Sequence, residues 1–283
     1  MSTDHDDRNQ IIGDLLTWVR QNEAAGMEWF LAVPGAHEAE ATVVEATAAP
    51  PPPANADVVE DDPFLVVCRE FVDGALALIQ GQPARSSAPV PAAEKEKALA
   101  ALRAEVMPCT ACSLHETRHS VVFGSGNPAA DVVFVGEAPG RDEDLQGEPF
   151  VGASGQLLTK ILGAIGYRRD DVFICNILKC RPPNNRDPQA GEVATCEPHL
   201  KRQLAILDPK VICCLGRVAA QTLLGTDASL KRLRESVHFY EGIPVMATYH
   251  PAALLRNPAW KRDTWNDVRR LAALVEALAV EGR

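Results

Sequence analysis

The chain has few aromatic side chains, 5% of its residues, and no apolar run of membrane-spanning length. It also has no surplus of positive charge, because 28 Lys and Arg face 38 Asp and Glu for a formal net charge of −10. The second absence excludes a spanning helix, which needs about 20 consecutive apolar residues. The third excludes tight binding to nucleic acid through bulk charge alone, so shape and a pocket would have to contribute. The opening stretch MSTDHDDRNQ is acidic and no apolar segment of the signal-peptide kind follows it. A reducing cytosol is therefore the expected compartment, where disulfides are rare and clustered thiolates serve as metal ligands. What is plentiful is aliphatic: 46% of the residues are hydrophobic, enough for a sizeable core.

Charge and composition divide the chain unevenly. Residues 1–99 hold 17 of the 38 acidic side chains but only 6 of the 28 basic ones, so the remainder is near neutral. The same region contains two Pro/Ala-rich segments, TAAPPPPANA at 47–56 and GQPARSSAPVPA at 81–92, which read as extended linkers. Apolar residues at helical spacing mark two amphipathic stretches, at 9–31 and 64–80, which either dock a protein partner or pack on the body. The expected organisation is an acidic extension over 1–99 and a catalytic-sized domain over 100–283.

Beyond residue 92 the pattern alternates between strand and helix. Short β-rich runs occur at 131–136, 171–178, 210–216 and 243–250, with helix-like segments near 154–165, 189–207, 217–224 and 258–279. This is the signature of an α/β fold with a parallel sheet, in which ligands bind beyond the carboxyl ends of the strands. The strand exits carry Gly136-Glu137-Ala138-Pro139-Gly140, Asn176, and His250-Pro251 with Leu254, Leu255 and Arg256 following; the first exit leads on to Pro149-Phe150-Val151-Gly152 and Ser154.

Eight cysteines fall into two groups. Cys68, Cys175, Cys213 and Cys214 sit in apolar runs and read as core residues. Cys109, Cys112, Cys180 and Cys196 have polar or Pro-rich neighbours and read as one metal site. A close CxxC followed by a widely split pair does not suit a finger or ribbon zinc site, where the second pair is also tight; it suits a cluster joining distant loops.

Taken in order, GEAPG, PFVG, CNILKCRPPNNRDP and HPAALLR, together with the cysteine spacing, closely resemble the family 4 uracil-DNA glycosylases over residues 100–283. The resemblance implies a three-layer α/β/α fold around a central four-stranded parallel sheet, a [4Fe–4S] cluster on Cys109, Cys112, Cys180 and Cys196, and monomeric action on uracil-containing DNA. It also implies hydrolysis of the N-glycosidic bond in base excision repair. Phe150 would stack on the extruded base and Asn176 would read uracil N3–H and O4, a pattern that cytosine inverts. His250 would donate to uracil O2 as charge develops there. Glu137 would position the attacking water, with the Gly136 backbone nearby.

For the DNA strand, the resemblance implies Leu254 or Leu255 entering the base stack, Arg256 on a phosphate, and Ser154 at a helix start holding another phosphate. Arg181 and Arg186, with Lys179, would add backbone attraction around the cysteine loop. A related subclass captures DNA covalently through a His in an inserted loop; here Cys180 runs directly into RPPNNRDP, with no His before His199, so turnover is expected. Two other readings use the same residues: a zinc-stabilised nucleic-acid-binding module without catalysis, and an adaptor whose acidic extension recruits a protein partner.

Overall fold

A computed structural model of the chain describes residues 63–83 and 90–280. The amphipathic stretch at 9–31 and the linker at 47–56 lie outside the described residues. Six strands form one sheet: β1 (Ser125–Gly126), β2 (Val132–Gly136), β3 (Phe173–Asn176), β4 (Val211–Leu215), β5 (His238–Tyr240) and β6 (Ile243–Thr248), in the order β1-β3-β2-β4-β6-β5. The inner four, β3, β2, β4 and β6, are parallel, and the two short edge strands pair antiparallel to β3 and β6. The expected four-stranded parallel centre is therefore present, with an added strand at each edge.

All residues of β2, β3, β4 and β6 are buried, because helices cover both faces. Alternation along β2 sends Val133 and Val135 to one core and Val132 and Phe134 to the other. The first core packs against α2 (Ala92–Val106), α5 (Ala190–Leu207) and α6 (Arg217–Leu224). The second packs against α1 (Pro63–Gln80), α4 (Ala153–Ala164) and α9 (Lys261–Val280). Short helices α3 (Arg141–Gln146), α7 (Leu230–Leu233) and α8 (Pro251–Arg256) fill the connections at the rim. Cys68, Cys175, Cys213 and Cys214 are core residues, each no more than 2% exposed.

Helix α1, which the composition grouped with the acidic extension, belongs to the body. It packs along α9 with Cys68, Val72, Ala75 and Leu76 buried, and Arg270 of α9 lies 5.0 Å from the Phe71 ring. Helix α2 runs through residue 99 and buries Leu99, Leu102 and Val106 in the first core.

Candidate active site

Because the inner strands are parallel, the ends of β2, β3, β4 and β6 share one rim of the sheet. Gly136 at the end of β2 pairs in register with Asn176 at the end of β3. A Cβ at Gly136 would overlap the Asn176 amide oxygen and stand 2.7 Å from the Phe150 ring, so both side chains rest on bare backbone. Asn176 is 1% exposed, and among the described residues its Oδ1 has no hydrogen-bond partner. Leaving such an acceptor unsatisfied costs about 1–3 kcal/mol, so the position is open to a donor from outside the protein.

Phe150 is buried and has φ of 53°, a left-handed conformation that a bulky residue adopts only when its surroundings impose it. The imposing groups lie on either side. Arg169 donates to the carbonyls of Phe150 at 3.1 Å and Pro149 at 2.8 Å. The buried Glu143 carboxylate accepts from the Val151 and Gly152 amides, both at 3.0 Å, and from Gly140 at 3.1 Å. Glu143 thus fastens the GEAPG loop to the PFVG loop. Gly155 lets the first turn of α4 lie against the Phe150 carbonyl, where a Cβ would overlap it.

His250 precedes α8 and caps it: its Nδ1 accepts from the Ala252 amide at 3.1 Å. An accepting Nδ1 places the proton on Nε2, which is left as a donor. Burial, and secondarily the Arg256 charge, hold the imidazole at about 4, so it is neutral near pH 7. Its ring lies 5.4 Å from the Phe150 ring at 32°. Gly216, with φ of 94°, turns the chain away after β4; a Cβ there would stand 3.0 Å from the His250 Cβ.

The Thr248-Tyr249-His250 exit is held from behind. Thr248 donates its hydroxyl to Asp267 of α9 at 2.7 Å, and Asp267 also receives Arg234 at 2.6 and 3.2 Å. The Tyr249 ring carries the Arg234 guanidinium at 4.3 Å and the Trp260 indole at 4.7 Å, stacked at 10°. Glu137 is half-buried at the same rim. Burial raises its carboxyl above the usual range, Asp187 raises it further, and Arg217 opposes them.

The residues expected to meet DNA separate into distinct environments. Leu255 and Arg256 are exposed, whereas Leu254 is fully buried among Leu157, Ile161, Trp265 and Val268. Leu254 is therefore a core residue and not a wedge: a six-residue helix turns one of two adjacent leucines inward. Ser154 is half-exposed in the first turn of α4. Arg181 donates to Asn185 Oδ1 at 2.7 Å in a loop where Asn184 and Asn185 both have positive φ. Arg186 engages the buried Glu192 carboxylate with both terminal nitrogens, one at 2.9 Å, so its guanidinium braces the loop onto α5. Lys179, read as part of the basic surface, is 1% exposed and donates to the Asn176 carbonyl at 2.8 Å. It is a brace inside the pocket wall.

Residues 123–269 match the uracil DNA glycosylase superfamily. The chain is 49% identical over 178 residues to the type-4 uracil-DNA glycosylase of Archaeoglobus fulgidus, an alignment covering 60% of this chain and 89% of that protein. It is 42% identical over 182 residues to the Sulfurisphaera tokodaii type-4 enzyme, covering 61% and 83%, and 43% identical over 179 residues to that of Thermotoga maritima, covering 62% and 90%. The chain belongs to the type-4 uracil-DNA glycosylase family.

In this type-4 family member, Cys109, Cys112, Cys180 and Cys196 line one small cavity between the α2 exit, the loop after β3 and α5. Among the described residues no group of three or more His, Cys, Asp and Glu side chains is placed to hold a metal ion. Four thiols lining one cavity are a donor set of the kind that an iron–sulfur cluster takes. Two N–H groups already face the sulfurs, Arg118 to Cys180 at 3.2 Å and the Lys179 amide to Cys196 at 3.3 Å, as thiolates favour. His199 stands 3.8 Å from Cys109.

Sequence reading missed Glu143, Arg169, Gly216, Arg234 and Asp267. Glu143 carried a weak signal, being three residues after a glycine at a helix start; Arg234 and Asp267 carried none, since their pairing spans two distant helices.

Proposed function

We propose that the protein hydrolyses the N-glycosidic bond of uracil in DNA, releasing free uracil and leaving an abasic site. The observation that carries this reading is the unpartnered Asn176 Oδ1 beside Phe150 and the free Nε2–H of a neutral His250. A flipped uracil satisfies this set: its N3–H donates to Oδ1, its face meets Phe150, and its O2 accepts from His250. Cytosine presents an acceptor at N3 and would leave two acceptors opposed.

Bond cleavage sends the electron pair of the C1′–N1 bond onto uracil, where negative charge collects at O2. The His250 Nε2–H strengthens its hydrogen bond to that oxygen without giving up the proton, which suits an imidazole whose protonated form is disfavoured. The sugar becomes cationic, and Glu137 orients a water toward C1′ and accepts its proton as the new C–O bond forms. A carboxyl raised by burial is a stronger base than an exposed one.

On the strand, Leu255 enters the gap left by the extruded base, and Arg256 and Ser154 meet flanking phosphates. Arg181 would add a further backbone contact, while Arg186 acts through the loop shape it fixes. The four cysteines would hold a [4Fe–4S] cluster, whose iron–thiolate bonds tie α2, the loop after β3 and α5 together behind the pocket. Residues 1–62 would serve a protein partner.

The test is release of free uracil from a uracil-containing oligonucleotide by full-length, iron-replete protein, with an abasic site left behind and no denaturation-resistant adduct. Binding without release would leave the non-catalytic adaptor reading in its place.

A further inference from the structure

Two large apolar side chains stand in water close after His250: Leu255, 42% exposed, and Trp260, 37% exposed. The first already has a part in the proposed reaction. Trp260 does not; its indole stacks on Tyr249 and leaves part of the ring in water.

Its surroundings fix the ring. The Trp260 amide donates to the Asn257 carbonyl at 3.2 Å, and the Asn257 amide to Ala253 at 2.8 Å, so the turn after α8 is closed. The indole lies flat on Tyr249 at 4.7 Å and 10°. That tyrosine also carries Arg234, which Asp267 holds by two hydrogen bonds. Trp260 is thus the outer member of a stack anchored in the protein interior, and little rotamer freedom remains to be lost on binding.

The chain around it carries a run of basic residues. From Gly242 to Arg262 it contains no Asp or Glu, and Asp263, which follows, lies 3.5 Å from Arg234. Arg256 and Arg262 are exposed on either side of Trp260 in sequence, and Lys160 of α4 is near enough to act on Lys261. A rigid aromatic face among cations is the combination by which proteins hold single-stranded nucleic acid, ring to base and cation to phosphate.

We propose that Trp260 is a base-stacking site: its outer face takes the base of a nucleotide flanking the extruded one, with Arg256 on the intervening phosphate. The proposal rests on the reading of this rim as a DNA site. It carries a strand preference, because an unpaired base gains a stacking partner whereas a paired base in a duplex already has two. The gain on single strands should therefore exceed that on duplex.

Full-length, iron-replete Trp260→Ala and Trp260→Phe proteins would be compared with wild type for binding a uracil-free single-stranded oligonucleotide and its duplex, over a range of salt. Trp260→Ala should bind the single strand about tenfold more weakly, within the range measured for base–aromatic stacking. The duplex should lose much less, Trp260→Phe should recover most of the affinity, and the salt slope should not change, since no phosphate contact is removed. On uracil-containing single strands the loss should fall on KM and not on kcat. Unchanged single-strand affinity in Trp260→Ala overturns the proposal. So does an equal loss on both substrates accompanied by a fall in kcat, because Trp260 would then only support Tyr249. If wild type binds in a Trp260-dependent way but releases no uracil, the stacking site stands and the glycosylase reading fails.

Discussion

Asp267 of α9 accepts the Thr248 hydroxyl at 2.7 Å and the Arg234 guanidinium at 2.6 Å, joining the end of β6 to α9 and to the residue that ends α7. Both members of the ion pair are nearly inaccessible, with side chains 11% and 5% exposed. Their mutual attraction is offset by desolvation, so the pair adds little net stability, but removing one member strands the other. Asp267→Ala should therefore destabilise the protein by about 3–5 kcal/mol. Urea unfolding checks this. Single-turnover excision should also slow, because His250 lies two residues beyond Thr248.

The pocket histidine sets a second expectation. In the unfolded chain His250 protonates near 6.5, and in the folded protein only at about 4. The folded state thus binds fewer protons between those values, and the stability gained from a neutral imidazole is complete above about 6.5 and lost as pH falls toward 4. The loss amounts to at most about 3 kcal/mol. His250→Gln should remove that part of the pH dependence of unfolding while wild type retains it.

As the proposed base, Glu137 would set the pH dependence of rate. Its raised carboxyl must be ionised to accept a proton, so single-turnover excision should fall as pH drops through a point above the ordinary carboxylate value. Glu137→Gln should be slower by about 10²-fold or more and lack this acid limb. A limb that survives in Glu137→Gln would assign it elsewhere.

The floor of the pocket tolerates no side chain. Gly136→Ala places a methyl against the Asn176 amide and the Phe150 ring. Overpacking of this kind costs about 1–3 kcal/mol, and here the groups displaced are those proposed to read the base. Excision should be lost beyond the loss of stability, as comparison of kcat at a temperature well below the unfolding transition would show.

Glu143 offers a conservative pair of substitutions. It accepts from three backbone amides, so Glu143→Ala frees three part-buried donors and releases the loop that holds Phe150 at positive φ. Glu143→Gln keeps one acceptor oxygen. The alanine variant should lose more stability than the glutamine variant, and KM should rise in the order wild type, Gln, Ala.

The inner strands were legible because a strand buried on both faces leaves a continuous apolar run; DVVFVG and KVICCLG could hardly be anything else. The edge strands were not, since Ser125–Gly126 is two small residues and His238–Tyr240 is partly exposed. Residue identity also could not separate Leu254 from Leu255, adjacent in a helix too short to show a period. Arg186 and Lys179 show the same ambiguity in charge: a cation that meets a phosphate and one that meets Glu192 or a backbone carbonyl have the same letter. Motif order pointed to Gly136, Phe150, Asn176 and His250, which the fold brings to one rim, whereas the partners that hold them depend on contacts made only after folding.

Lys179 makes two attachments in opposite directions: its amide points to Cys196 Sγ and its ammonium to the Asn176 carbonyl. The chain from Asn176 to Cys180 is therefore a short braced strut, with the amide proposed to read the base at one end and a cysteine of the quartet at the other. Displacement at one end is transmitted to the other with little slack. Under-metallated protein should accordingly behave as a mixture, in which metal-bearing molecules discriminate uracil from cytosine fully and the others do not react. Titrating active sites against iron content should give a straight line through the origin, with base preference constant along it.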